Sequence, residues 1–274
     1  MELYSSVSQD LSRRIMERYS TSFGSSTFLF PATIRHHIYN IYGLVRIADE
    51  IVDSYAGPAS AELLDNLELD VLRAITIGYS ANPIVHAFGL TMRQFNIDTK
   101  LVKAFFHSMR MDLNPQTYTP ALYAEYIHGS AEVIGLMCLS VFCGDDKAIY
   151  GALTDGACHL GAAYQKVNFL RDLAADATEL NRLYFPGYQF ESFDEAAKNT
   201  IIKDIMVDFE IADEAIPRLP KAAQRPVRLS RAYYSALLEK LARTPVETIK
   251  VSRVRLNAAQ KLRLFGASML RMDS

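Results

Sequence analysis

Tyr164-Gln165-Lys166-Val167-Asn168-Phe169-Leu170-Arg171-Asp172-Leu173-Ala174-Ala175-Asp176 decides how the rest of the chain is read. At 3.6 residues per turn, Gln165, Asn168, Asp172 and Asp176 fall at i, i+3, i+7 and i+11 and form one polar stripe on a helix. Val167, Phe169, Leu170 and Leu173 make the rest of the segment apolar. Two carboxylates and two amides projecting from apolar surroundings offer hard oxygen ligands. A second segment, Tyr42-Gly43-Leu44-Val45-Arg46-Ile47-Ala48-Asp49-Glu50-Ile51-Val52-Asp53, repeats the device with Asp49 and Asp53 at i and i+4. Like charges at that spacing repel by about 0.2–0.5 kcal/mol on an isolated helix. Two such pairs, both in apolar helices, need a compensating cation.

Working outward, helical periodicity covers most of the chain. A first helix is predicted within 8–24, running Gln9 to Tyr19. Others follow at Ile34 to Val52, Ala61–Ile77, Pro83–Phe95 and Thr99–Asp112, separated by Gly57-Pro58, by Gly78 to Asn82 and by Asn96-Ile97-Asp98. Ala121 to Phe142 reads as one long apolar helix, Lys147 to Asp176 as the next, and Asp194–Leu219, Pro226–Leu241 and Ser252–Met269 as the last three. No β-alternation, repeat or low-complexity linker interrupts them. The expected architecture is all-α, one domain over residues 1–274.

Composition narrows the function. Of 274 residues 50% are hydrophobic and 22% charged, which is enough for a large core. The 29 basic against 31 acidic side chains argue against a nucleic-acid partner, which calls for a basic excess. Cys138, Cys143 and Cys158 form no Cys-x-x-Cys pair, so neither a disulfide framework nor a zinc site is expected. A reducing cytoplasm fits. Met1 to Ser5 lacks a signal-peptide pattern, and the most apolar run, Ile134 to Cys143, is about half the ~20 residues a spanning helix needs. The protein is expected to be soluble or peripheral to the inner membrane.

Each acidic pair has an arginine within a turn, Arg46 and Arg171, and Tyr42, Arg46, Asp49 and Asp53 share one face. Two such stripes facing each other would hold Mg²⁺, which prefers oxygen and completes its shell with water and phosphate. Mg²⁺ beside arginines suits a diphosphate. No P-loop pattern points to a nucleotide. An apolar helical cavity above the stripes points to a greasy diphosphate.

Four motifs carry a resemblance. They are Tyr19-Ser20-Thr21-Ser22-Phe23, Tyr42-x-x-x-Arg46-x-x-Asp49-x-x-x-Asp53, Gln165-x-x-Asn168-x-x-Arg171-Asp172-x-x-x-Asp176 and Asn181-Arg182-Leu183-Tyr184-Phe185-Pro186. Over about residues 10–265 the chain resembles the squalene/phytoene synthase family. Gly129 to Cys138 and Tyr39 to Gly43 look most like the bacterial phytoene synthases of carotenoid biosynthesis.

That resemblance implies an isoprenoid-synthase-type bundle around a central cavity, in which two geranylgeranyl diphosphates are joined head to head to phytoene through a cyclopropylcarbinyl diphosphate. It implies that Asp49, Asp53, Asn168, Asp172 and Asp176 hold Mg²⁺, with Mn²⁺ as a substitute, and that no NADPH is used. Ser20, Ser22, Arg46, Gln165, Arg171 and Arg253 would position phosphate oxygens, with Tyr42. Tyr233 lines up with a family tyrosine at the diphosphate site. Squalene or dehydrosqualene formation from two farnesyl diphosphates is the alternative, as is a non-catalytic relative. The chain has no Asp-Asp-x-x-Asp motif, which counts against a chain elongase or terpene cyclase.

Four expectations concern walls and departures. Phe105, Phe106, Phe142 and Tyr126 are candidates for the water-excluding wall. His128 stands where many relatives carry Tyr and is a candidate diphosphate ligand. Glu132, inside an apolar helix, is expected to face the polar cavity rather than lie unpaired in a core. Lys250, Arg253, Arg255, Lys261 and Arg263 make the C-terminal segment basic, which fits a solvated face or contact with phosphate or a membrane surface.

Overall fold

The computed structural model describes residues 1–20, 22–114 and 116–270, and among them there are helices and no strands. The helices are α1 (Glu2–Tyr19), α2 (Ser22–Thr27), α3 (Ala32–Asp49), α4 (Ser60–Ile77), α5 (Pro83–Gln94), α6 (Thr99–Asp112) and α7 (Pro120–Ile127). Then follow α8 (Val133–Cys143), α9 (Lys147–Thr178), α10 (Glu195–Ala215), α11 (Lys221–Arg243), α12 (Val246–Ile249) and α13 (Ala258–Leu270). Two π-helical turns interrupt the pattern, Glu50–Tyr55 after α3 and His128–Glu132 between α7 and α8.

Local chemistry sets the boundaries. Asp98 accepts the Lys100 amide at 2.8 Å, Asp146 that of Ile149 at 2.9 Å and Asp194 that of Ala197 at 2.8 Å, each satisfying a donor that a helix start leaves open. Asn82 caps α5 in the same way with Pro83 in the first turn, and Gly78 ends α4 at φ 80°.

Two of the boundaries that differ from the periodicity have a visible cause. α1 begins at Glu2, earlier than expected, because Tyr4 donates to the carbonyls of Ser80 and Ala81 and Ser5 bonds the His86 ring at 3.0 Å. Those tertiary contacts hold a first turn that propensity alone leaves frayed. Pro226 lies inside α11 rather than at its start. Gln224 anchors that turn from its side chain, donating to the carbonyls of Pro217 and Leu219. The long apolar helix forms as one stretch, Pro120–Cys143, and passes the length and hydropathy test for a membrane span, yet half of its apolar window is buried in the bundle.

Two apolar cores flank one cavity. The first takes Met16, Ile38, Leu44, Val71, Phe88, Phe105 and Val133 from α1, α3, α4, α5, α6 and α8. The second takes Tyr126, Val167, Leu170, Ile205, Leu229 and Leu241 from α7, α9, α10 and α11. Glycines let the helices between them approach. A Cβ on Gly135 would lie 2.7 Å from the Ala157 carbonyl and one on Gly161 2.7 Å from that of Ala131, so α8 and the turn before it lie almost backbone to backbone against α9.

Gly129 is the tightest of these. A Cβ there would run into the Ser108 hydroxyl and the Ala104 carbonyl oxygen of α6. Gly129→Ala is expected to destabilise the protein by about 1–3 kcal/mol, the range for overpacking a tight site. Urea unfolding of the purified variant checks this, and an unchanged midpoint contradicts it.

Candidate active site

The cavity has a volume of about 620 Å³ and is charged at one end and apolar at the other. α3 and the π turn after it deliver Tyr42, Arg46, Asp49 and Asp53 to its wall, and α9 delivers Gln165, Asn168, Arg171, Asp172 and Asp176. The two stripes do face one space. Ser20, at the end of α1, and Arg253, after α12, complete the charged end. The apolar end is lined by residues that include Phe30, Ile38, Ile134, Leu139, Phe142, Leu153 and Leu160, with Phe30 and Phe142 stacked at 5.1 Å.

The carboxylates fall into two kinds. Asp53 and Asp172 are answered by arginines. Arg182 Nη1 reaches Asp53 Oδ1 at 2.6 Å, while Arg171 Nε and Arg253 Nε reach Asp172 Oδ1 at 2.9 and 2.6 Å. Asp49 and Asp176 are not answered. Arg46 passes Asp49 at 3.9 Å but spends its hydrogen bonds on Glu50, with Nε at 3.0 Å from Oε1. Burial and then the Asp53 charge push Asp49 up to about 8, and burial with Asp172 and Asp53 pushes Asp176 up to about 8.

A buried hub lies beneath. Arg182 is 7% exposed, and its Nη2 donates to the carbonyls of Val52 and Asp112 at 2.9 Å each. Asp112 accepts the hydroxyls of Tyr126 at 2.7 Å and Tyr184 at 2.9 Å. Burial raises Asp112 to about 6 against the pull of Arg182 and those two hydroxyls. Asn181, at φ 53°, turns the chain back so that Arg182 points inward, a conformation asparagine tolerates better than most residues.

The remaining polar wall is aromatic. Tyr42 neighbours Ser20 and is pushed up to about 12 by burial, with Arg46 opposing. Tyr164 and Tyr234 stack at 3.8 Å, and the Tyr234 hydroxyl donates to Asn168 Oδ1 at 3.4 Å.

Several expectations need correcting. Tyr233 does not line the cavity. It faces a groove between α2, α11 and α13, with its hydroxyl directed to the Lys261 carbonyl at 3.4 Å, and Tyr234 takes the cavity side because adjacent residues on a helix point about 100° apart. His128 is also outside the lining. It is half exposed and bonds Glu132 across the π turn at 2.8 Å, so Glu132 finds its partner on the outer surface and not in the cavity. Phe105 and Phe106 are fully buried in the first core, whereas Phe142 and Tyr126 do line the cavity. The Ser22 side chain and Thr21 lie outside the described residues. Sequence reasoning gave no role to Arg182, Asp112 or Tyr234. Arg182 had a signal, being part of a quoted motif, but Asp112 is a single acid at the end of an amphipathic helix.

Among the described residues no three His, Cys, Asp or Glu side chains converge closely enough to hold an ion by themselves. The donor set of the two stripes is nonetheless hard oxygen throughout, with two carboxylates, Asp49 and Asp176, that burial and the Asp53 charge both push upward. It fits a divalent ion that draws its other ligands from water and a bound anion.

Residues 16–260 match the family model for squalene/phytoene synthase, and the chain belongs to that family. It is 32% identical over 193 residues to phytoene synthase of Arthrospira platensis, covering 66% of this chain and 62% of that one. It is 26% identical over 267 residues to chloroplastic phytoene synthase 1 of Solanum lycopersicum, covering 86% and 61%. Both alignments span less than two-thirds of the relative's length. Presqualene diphosphate synthase of Zymomonas mobilis is 28% identical over 263 residues, covering 88% and 86%. The fold is similar to that of a solved dehydrosqualene synthase (TM-score 0.80, 19% identity, 98% of this chain and 97% of that one). It is also similar to squalene synthase HpnC of Alicyclobacillus acidocaldarius (TM-score 0.76, 21% identity, 88% and 95%).

Two predictions follow from the charge layout. Asp49 and Asp176 have folded pKa values raised above the 3.8 of a free aspartate, so they favour folding fully only below that value and cost stability as pH rises through about 8. In chelator-treated protein Asp49→Asn and Asp176→Asn are expected to raise the thermal midpoint, more at pH 8 than at pH 5. Asp53→Asn and Asp172→Asn, which weaken arginine pairs, are expected to give no such gain; differential scanning calorimetry of the four variants decides. Arg182→Ala strands the buried Asp112 and is expected to cost about 3–5 kcal/mol, read as a lower urea midpoint.

Proposed function

We propose that the protein is a Mg²⁺-dependent prenyltransferase that joins two geranylgeranyl diphosphates head to head to give phytoene. The observation that carries the reading is the division of one cavity into a charged end, where Asp49, Asp53, Asp172 and Asp176 are interleaved with Arg46, Arg171, Arg182 and Arg253, and an apolar end for hydrocarbon. Membership of the squalene/phytoene synthase family supports it.

Asp49, Asp53, Asn168, Asp172 and Asp176 would hold Mg²⁺, which when bound supplies charge stabilisation to a departing diphosphate. The arginines of the rim grip phosphate oxygens, Arg171 and Arg253 exchanging part of their bond to Asp172 for the ligand. Held there, the first substrate loses diphosphate with the electron pair of its C–O bond and leaves an allylic cation. The double bond of the second substrate attacks it. Loss of a proton closes a cyclopropane and gives the cyclopropylcarbinyl diphosphate. Ionisation of the second diphosphate, ring opening and loss of another proton give phytoene, with no hydride needed and so no NADPH. The apolar walls, Phe30, Phe142, Leu139 and Leu153 among them, exclude water that would quench these cations.

One observation favours a second reading with the same chemistry on farnesyl diphosphate. The alignment with the Zymomonas presqualene diphosphate synthase covers most of both chains. The discriminating experiment incubates purified protein with Mg²⁺ and geranylgeranyl diphosphate, and separately with farnesyl diphosphate, without NADPH, and weighs the products. A C40 hydrocarbon from the first alone is expected; a C30 product from the second moves the assignment to the shorter substrate. Asp53→Asn is expected to lower the rate at least ~100-fold, the scale for losing one charge-stabilising group.

A further inference from the structure

Among the described residues, Arg46 is the arginine of the charged end whose hydrogen bonds all lead out of the cavity lining. Its Nε donates to Glu50 Oε1 at 3.0 Å, and its Nη2 bonds the same oxygen. Glu50 does not line the cavity, whereas Arg46, Asp49 and Tyr19 do. The Tyr19 ring lies against the guanidinium, whose Cζ is 4.5 Å from the ring centroid. Nη1 is the nitrogen left over. It lies on the Asp49 side at 3.9 Å from Oδ2, beyond hydrogen-bond reach.

A free arginine side chain samples many rotamers, and ordering it when an anion binds costs affinity. Two contacts remove that freedom here. A carboxylate oxygen that takes both Nε and Nη2 fixes the direction of the guanidinium fork, and an aromatic ring against its face opposes rotation out of that plane. Glu50 reaches Arg46 because residues at i and i+4 are neighbours on a helix surface, and Tyr19 reaches it from the last residue of α1. Neither belongs to an apolar core. The Glu50 side chain is 34% exposed and Tyr19 is 53% exposed, so what they share is the contact with Arg46.

We propose that Glu50 and Tyr19 are positioning residues for a diphosphate group, holding the Arg46 guanidinium in advance so that Nη1 meets an oxygen of the anion beside Asp49. This role rests on the diphosphate reading of the site given above. The charge of Glu50 by itself disfavours an anion nearby. The geometry it imposes on Arg46 offsets that repulsion. In the sequence Glu50 is only one more acid beside Asp49, and its task becomes visible once Arg46 is seen to turn to it.

The test is calorimetric titration of the purified protein with inorganic pyrophosphate in the presence of Mg²⁺, which reads binding without turnover. Glu50→Ala and Glu50→Gln lose the same charge, but only the amide still offers an oxygen to Nε and Nη2. Glu50→Ala is expected to bind pyrophosphate at least ~5-fold more weakly than Glu50→Gln. In an Arg46→Ala background the difference between the two substitutions is expected to disappear, because Glu50 acts through Arg46. Tyr19→Leu, which removes the ring face, is expected to weaken binding at least ~3-fold relative to wild type. It alters a different helix from Glu50→Ala, so the role of the pair stays testable if one variant fails to fold. Equal affinities of Glu50→Ala and Glu50→Gln, or a difference that survives in the Arg46→Ala background, overturn the proposal. Unchanged affinity in Tyr19→Leu overturns the role of Tyr19. A wild-type protein that binds no pyrophosphate overturns the diphosphate reading itself and this proposal with it, whereas the other results leave that reading standing.

Discussion

The guanidinium of Arg182 is the point on which the charged end of the cavity depends. It is buried, and it joins three elements distant in sequence: the π turn that carries Asp53, the end of α6 at Asp112, and the loop that leaves α9. Without it the two acidic stripes have no common anchor, because each would present repelling carboxylates to the other. Its cost of burial is offset by bonds to a carboxylate and two carbonyls and by the nearby Asp112 charge, the arrangement that a buried cation requires.

The rest of the site divides between carboxylates that arginines bond and carboxylates that they do not. Asp53 and Asp172 are held in arginine pairs, whereas Asp49 and Asp176 are raised by burial and by their neighbours. This leaves the site under electrostatic tension, and such tension lowers stability. The apolar end shows the opposite economy. Glycines at 129, 135 and 161 let α6, α8 and α9 approach with no room for a methyl group, so the helices beside the cavity are tightly packed.

Both π turns lie beside this region, and neither is visible in a 3.6-residue pattern. The first alters the presentation of Asp53 relative to Asp49. The second sets His128 and Glu132 against each other outside the cavity lining, where the resemblance had made His128 a candidate diphosphate ligand and the cost of an unpaired charge had placed Glu132 at the cavity. Such turns recur at functional sites because they re-aim side chains within an otherwise regular helix. Tyr233 and Tyr234 show the same limit on α11. Both are aromatic and adjacent in sequence, and only the helix rotation tells which one meets the cavity.

The sequence by itself determined the all-α architecture, most helix boundaries and the two acidic stripes. These depend on local periodicity, capping residues such as Asp98, Asp146 and Asp194, and spacing within single helices. It also contained Arg182, in a motif whose purpose spacing could not reveal. Tertiary structure alone decided that the stripes face each other, that Asp112 lies under Asp53, that Tyr234 replaces Tyr233 at the wall, and that Phe105 and Phe106 belong to a core. Each of these depends on contacts between residues far apart along the chain, some more than a hundred positions, and periodicity within one helix carries no information about which other helix will cover its face.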